Sequence, residues 1–238
     1  MQIEELTSEE FKNLRETIKS VIIPIGSIEA HGPHLPLGTD LFTIYEISKR
    51  LIKDVKIFLS PPIYFGLCRS TKNLPGTITL RGESLKILLL DLFESFYFQG
   101  LRNFIVLSGH AGGTHNAYLI DAAETFLEKY EEARFLVADI IKLLKDILKE
   151  LGIPEEDSHA GEWETSLMLY LKNELVRDLS LAFEDYPQFP KFWVVREKEK
   201  YWPSGIWGNP LKASKEKGKL LSERLLQKLK TLLLDFIG

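Results

Sequence analysis

Cysteine is nearly absent from this chain: Cys68 stands alone among 238 residues, so no disulfide can close within it. Long hydrophobic runs are missing too. The apolar stretch around Ile87 to Leu92 falls far short of the roughly 20 residues a membrane-spanning helix needs, so no span is expected. The first residues lack the basic, apolar and small-residue regions of a secretory signal, and with a single thiol this points to a reducing cytoplasm. Charge of one sign is not in excess. Lys and Arg number 30 against 34 Asp and Glu, the signs are mixed along the chain, and no basic stripe suits a nucleic acid. Asn and Gln are scarce beside abundant Lys, Glu, Leu and Ile, the bias of thermophilic proteins.

What is present is 45% apolar residues, enough for one sizeable core, with no repeat, low-complexity tract or Gly/Ser linker to divide residues 1–238. One domain is expected. Strand-like runs alternate with amphipathic stretches, which predicts an α/β fold with a mostly parallel sheet. Strands are expected at Val21–Ile25, Lys56–Tyr64 (broken by Pro61-Pro62), Asn103–Leu107 and Arg134–Ala138. Helices are expected from Ser8, then over Asp40–Lys53 with Asp40 near the N-cap, Glu83–Phe98, Asn116–Tyr130, Ile140–Leu151, His159–Leu171 and Ser214–Ile237.

All five histidines fall in three short patches. The first runs from Gly26 to Asp40 and holds Glu29, His31, His34 and Asp40 among turn formers, just after a strand. An irregular backbone lets side chains two apart point at one centre, and Glu, Asp and neutral His are suitable ligands for zinc, manganese or iron. Taken alone, the patch equally fits an exposed loop whose Asp40 only caps the next helix. The second patch, Ser108 to Asn116, places His110 at a strand end in a glycine-rich loop. A phosphate-binding loop competes there, but no Lys accompanies it; His110 reads as a ligand and His115 as a hydrogen-bonding or helix-start residue. The third, Asp157 to Ser166, offers His159 as general acid/base and Glu162 as a ligand, or else ordinary acids at a helix start.

In order along the chain, GSIEAHGPHLPLGTD, LPGTITL, SGHAGGTHN, HAGEWETS and SGIWGNPLKASKEKG resemble the creatininase (creatinine amidohydrolase) family, from about Val21 to Gly218. The resemblance implies a three-layer α/β/α fold, two divalent metal ions per chain (zinc, manganese or iron), and a homo-oligomer, often a hexamer. It implies that Glu29, Asp40 and His110 hold one metal and His31 with bridging Asp40 the other. His159 falls at the family's catalytic histidine, and Glu164 at an acid that supports the site or passes protons.

Departures from creatininase itself matter for the substrate. Its aromatic-acidic pair after the loop histidine, the acid being a ligand, is replaced by Ala111 and Gly112; the gained carboxylate of Glu162 is the expected substitute. Glu155 stands where creatininase has a tryptophan before its catalytic histidine. Creatinine is therefore not the expected substrate. The expected reaction is hydrolysis of a C–N bond in a small amide or formamide by a metal-bridging water, with His159 protonating the leaving nitrogen. Substrate contacts are expected from Cys68, Arg69 and Ser70 and from Ala111 and Gly112, with Arg69 meeting an anionic group or forming a surface ion pair. Trp202 and Trp207, flanking Pro203-Ser204-Gly205, are expected to pack in the core, the more common role of tryptophan, or to cover a pocket or an oligomer interface. Rival readings are a formamidopyrimidine-nucleotide deformylase of flavin or deazaflavin biosynthesis, a peptide-trimming enzyme, and a non-catalytic assembly subunit with a structural metal.

Overall fold

The apolar run after residue 19 forms β1 (Ser20–Ile25), buried throughout, and it pairs with neighbours on both edges. In this computed structural model, which describes residues 1–238, β1 joins β2 (Phe58–Leu59), β3 (Asn103–Ser108) and β4 (Arg134–Asp139) in one parallel sheet of order β2-β1-β3-β4. The expected fold class holds.

Strand periodicity sorts the core into two layers. Ile22, Leu59, Ile105 and Leu107 face α2 (Thr39–Leu51), α5 (Ile140–Glu150), α6 (Glu162–Leu171) and α7 (Lys215–Ile237). Val21, Ile23, Ile25, Phe104 and Val106 face the other way, onto α3 (Gly82–Phe98) and α4 (Gly113–Leu127). Each such side chain, fully buried, contributes about 1.5–3 kcal/mol relative to exposure. At the start of the chain, Thr7 caps α1 (Ser8–Leu14) reciprocally with Glu10. No helix is long and apolar enough to cross a membrane.

Three expectations need correcting. The second strand keeps only Phe58 and Leu59, because Pro61-Pro62 cannot donate to a ladder, and Ile63 returns only as an isolated bridge to Ile25. Helix α6 begins at Glu162, not His159: Ala160 has φ 49°, which ends any helical path before it. Asp40 is not a cap. Gly38 occupies the cap of α2, and the Asp40 side chain is free for other partners.

The order 2-1-3-4 reverses direction between β1 and β3, so a crevice opens at their carboxyl ends. There α2 is wedged against the loops. A Cβ on Gly109 would stand 2.1 Å from the Asp40 carbonyl oxygen, and one on Gly26 would stand 2.4 Å from Leu41 Cα. Glycine at both positions lets the first turn of α2 reach the strand ends.

Candidate metal centre

That wedge carries Asp40 between the loops that follow β1 and β3. Its Oδ1 lies 3.0 Å from His31 Nε2 and its Oδ2 lies 3.1 Å from His110 Nδ1, so one carboxylate faces two imidazoles with different oxygens. Glu29 Oε1 stands 2.6 Å from His110 Nδ1, and Glu164 Oε2 stands 3.8 Å from His31 Nε2. All five side chains are buried.

The far side of each ring is anchored. His31 Nδ1 donates to the Glu29 carbonyl at 3.0 Å, and His110 Nε2 donates to the Leu67 carbonyl at 3.2 Å. A carbonyl only accepts, so it fixes the tautomer and leaves a lone pair on the nitrogen that faces the carboxylates, as second-sphere partners do for metal-binding histidines. Hydroxyls orient the carboxylates: Ser27 Oγ, with one proton to give, lies 2.7 Å from Asp40 and 3.0 Å from Glu29, and Thr71 donates to Glu29 at 2.5 Å.

Positive charge has to enter this cluster, as protons on the rings or as cations between them. Burial opposes charge on His31, yet Asp40, Glu164 and Glu29 hold its ring up to about 10, and Glu29 and Asp40 likewise raise His110 against burial. Asp40 is held low by His31 and His110, and Glu29 by His110 and His159, again against burial. Burial pushes Glu164 up to about 8 against the pull of His31. Three carboxylates and two oriented imidazoles, all oxygen and nitrogen donors, suit borderline divalent cations. Three groups have ligand atoms within 4.8 Å of one another: Glu29 with His31 and His159, Glu29 with His110 and Cys68, and His31 with Asp40 and Glu164.

His159 stacks on His31 at 4.0 Å between ring centres, and Trp202 meets its edge at 5.0 Å. Its Nε2 donates to the Ala30 carbonyl at 2.9 Å, leaving Nδ1 as the basic atom. Burial and the charge of His31 lower the ring to about 4. The backbone of 158–159 is clamped by Trp207, and the Ala160 amide donates to Glu164. Asp157 ties this turn together, accepting from the amides of Glu162 at 2.8 Å and Asn209 at 2.9 Å.

Glu29, Asp40, His110, His159 and Glu164 line a cavity of about 350 Å³, with Arg69, Ser70, Ala111, Gly112, Trp202 and Trp207 among its walls, while His31 lies behind them. The sequence model of the family described as Creatininase: Creatinine amidohydrolase matches residues 4–233. The chain belongs to the creatininase family. Curated relatives include the mycofactocin precursor peptide peptidase of Mycolicibacterium smegmatis, 26% identical over 87% of this chain and 81% of that one. The creatinine amidohydrolase of Pseudomonas putida is 26% identical over 87% and 85%. The 3-dehydro-scyllo-inosose hydrolase of Thermotoga maritima is 28% identical over 95% and 81%. Crystallised creatinine amidohydrolase matches the fold at TM-score 0.90 with 22% identity over 100% of this chain and 98% of that one.

Within this creatininase-family site two expectations fail. Glu162 does not reach the cluster: its Oε1 pairs with Lys217 Nζ at 2.5 Å, and the carboxylate that faces His31 is Glu164, two residues on. Cys68 does not line the cavity; it lies buried behind Glu29 and His110, where burial and their neighbouring carboxylates raise its thiol. Arg69 forms no ion pair and faces the cavity. Outside the cluster, His34 Nε2 meets Thr165 Oγ1 at 2.9 Å, and His115 accepts from the Leu67 amide at 3.2 Å. Ser27, Thr71 and the Ala30 carbonyl were missed from sequence; Ser27 and Ala30 carried a signal, by their place in the first patch.

Proposed function

We propose that the chain is a two-metal hydrolase of a C–N bond in a small amide or formamide. The observation that carries this is Asp40, whose two oxygens face two imidazoles that are each turned lone pair inward by a backbone carbonyl. Glu29, Asp40 and His110 would hold one divalent cation, and His31, Asp40 and Glu164 the other. Such a pair, when bound, lowers the pKa of water and polarises a carbonyl.

The remaining steps belong to side chains. His159, neutral at neutral pH, takes a proton at Nδ1 from the attacking water and returns it to the departing nitrogen. Its stack on His31 and the Ala30 hydrogen bond fix the ring for both transfers. Trp202 and Trp207 keep bulk water from the proton path.

The test is elemental analysis of the purified chain beside Asp40→Ala, followed by amide and formamide screening. About two cations per chain, both weakened in the variant, support the reading. A chain that takes up no zinc, manganese or iron sinks it. His159→Asn is expected to keep its cations and lose turnover; full turnover in that variant would remove the histidine from the mechanism. Loss of activity on chelation with the fold intact separates catalysis from a purely structural metal.

A further inference from the structure

A second, outer cavity of about 800 Å³ adjoins the inner one, and Arg69, Thr114, Lys198 and Trp202 line both. The walls of the outer cavity hold five cations, Arg69, Lys72, Arg81, Arg196 and Lys198, against one acid, Glu83. None of the five is ion-paired, whereas Lys86, Arg102 and Arg224 elsewhere each have a carboxylate partner. Glu83 is itself engaged, accepting from the Tyr118 hydroxyl at 2.9 Å. Lys198 is half-buried; its Nζ donates to Ser70 Oγ at 3.1 Å, and Arg69 and Lys72 stand close enough to oppose its charge.

Like charges gathered around a concave surface in a chain of net charge −4 are costly unless an anion joins them. The start of α4 adds to the same field. Gly112 caps it without a side chain, its first turn carries no acid, and Thr114 from that turn reaches both cavities. The same cavity is also lined by aromatic side chains, Phe189, Trp193, Trp202 and Trp207.

We propose that the outer cavity binds an oxyanion, a phosphate or a carboxylate carried by the substrate, with Arg69 and Lys198 at the junction as its principal contacts. This rests on the reading of the inner cavity as the place of reaction. Anchored there, the anion would leave the aromatic wall to cover the substrate body and the C–N bond to enter the metal centre. The anchoring group takes no part in bond breaking, so its contribution is to orientation.

The experiment titrates phenyl phosphate, benzoate and phenol into the metal-loaded full chain, followed by tryptophan fluorescence and calorimetry. At least one oxyanion is expected to bind more tightly than phenol, with affinity falling as salt rises. Arg69→Gln and Lys198→Gln are each expected to weaken it about tenfold, the loss of one charge-assisted hydrogen bond, with metal content unchanged. Whichever of phosphate and carboxylate binds better identifies the group. Equal binding by parent and both variants overturns the proposal, as does binding that depends only on the cations. A chain that holds two cations and cleaves an amide but binds no oxyanion keeps the hydrolase reading and loses this one.

Discussion

Replacing Gly109 with alanine tests whether the fold itself sets the position of Asp40. The added Cβ would stand 2.1 Å from the Asp40 carbonyl oxygen and 2.8 Å from its carbon. Ordinary carbon–oxygen contacts begin near about 3.3 Å, so α2 and the loop after β3 must part by about 1 Å. Both contacting groups are backbone, and no side chain can swing aside. Overpacking of this kind costs about 1–3 kcal/mol. At about 2–4 °C per kcal/mol for a chain of this size, Tm should fall by roughly 2–12 °C. A displacement of about 1 Å at a catalytic group costs on the order of 100-fold in rate, so turnover should fall more steeply than stability. Thermal melts and elemental analysis of Gly109→Ala beside Gly113→Ala make the comparison. A Cβ on Gly113 meets nothing within 4 Å, and alanine there is expected to be neutral or slightly stabilising. If Gly109→Ala melts with the parent and retains its cations, the wedge does not position the carboxylate.

Two other expectations follow from the site. Glu164→Gln should lower cation content while Glu162→Gln leaves it unchanged, because Glu164 faces His31 and Glu162 faces Lys217; the reverse pattern would return Glu162 to the cluster. Burial, with the charge of His31, holds His34 down to about 4, and burial with that of His110 holds His115 down to about 3. Both lie below the ordinary value of 6.5, so the unfolded chain binds these protons first. The stability these two rings contribute is then full above about pH 6.5 and falls toward pH 4, by up to about 1.4 kcal/mol per pH unit for each ring, whereas the raised His31 acts only on the alkaline side of that window. Melts in chelator across that window should show the decline, and His34→Asn should reduce its slope; an unaltered slope would assign the effect elsewhere.

The strands were legible because both faces of the sheet are covered, which writes a continuous apolar run for β1 and β3. β2 was not, since Pro61-Pro62 cuts the pairing of a segment whose composition still reads as strand. The first two patches were legible because each follows a strand whose carboxyl end opens on the crevice. Choosing between Glu162 and Glu164 was not, because the deciding partner, Lys217, is 55 positions away. Cys68 was misplaced because sequence alone does not give side-chain direction in an irregular loop: Arg69 faces the cavity, and Cys68 is buried against Glu29 and His110. Lys198 lies in a charged stretch with no periodicity, and only the folded path of 184–207 brings it beside Arg69.

The clamp on residues 158–159 also has a temporal side. Ser158 and His159 take their backbone partner from Trp207, and Asp157 takes one of its amides from Asn209. A nascent chain that has emerged only through α6 already contains all the carboxylates and imidazoles of the cluster, and the Ala30 and His31 partners of the His159 ring, but not the Trp207 and Asn209 part of the clamp. Closure over a separation of this length is slow beside local helix formation. The last part of the clamp on residues 158–159 is therefore expected to close after the residues of the cluster have been made, and a protease cut between α6 and Trp207 would leave that part held by its non-covalent contacts alone.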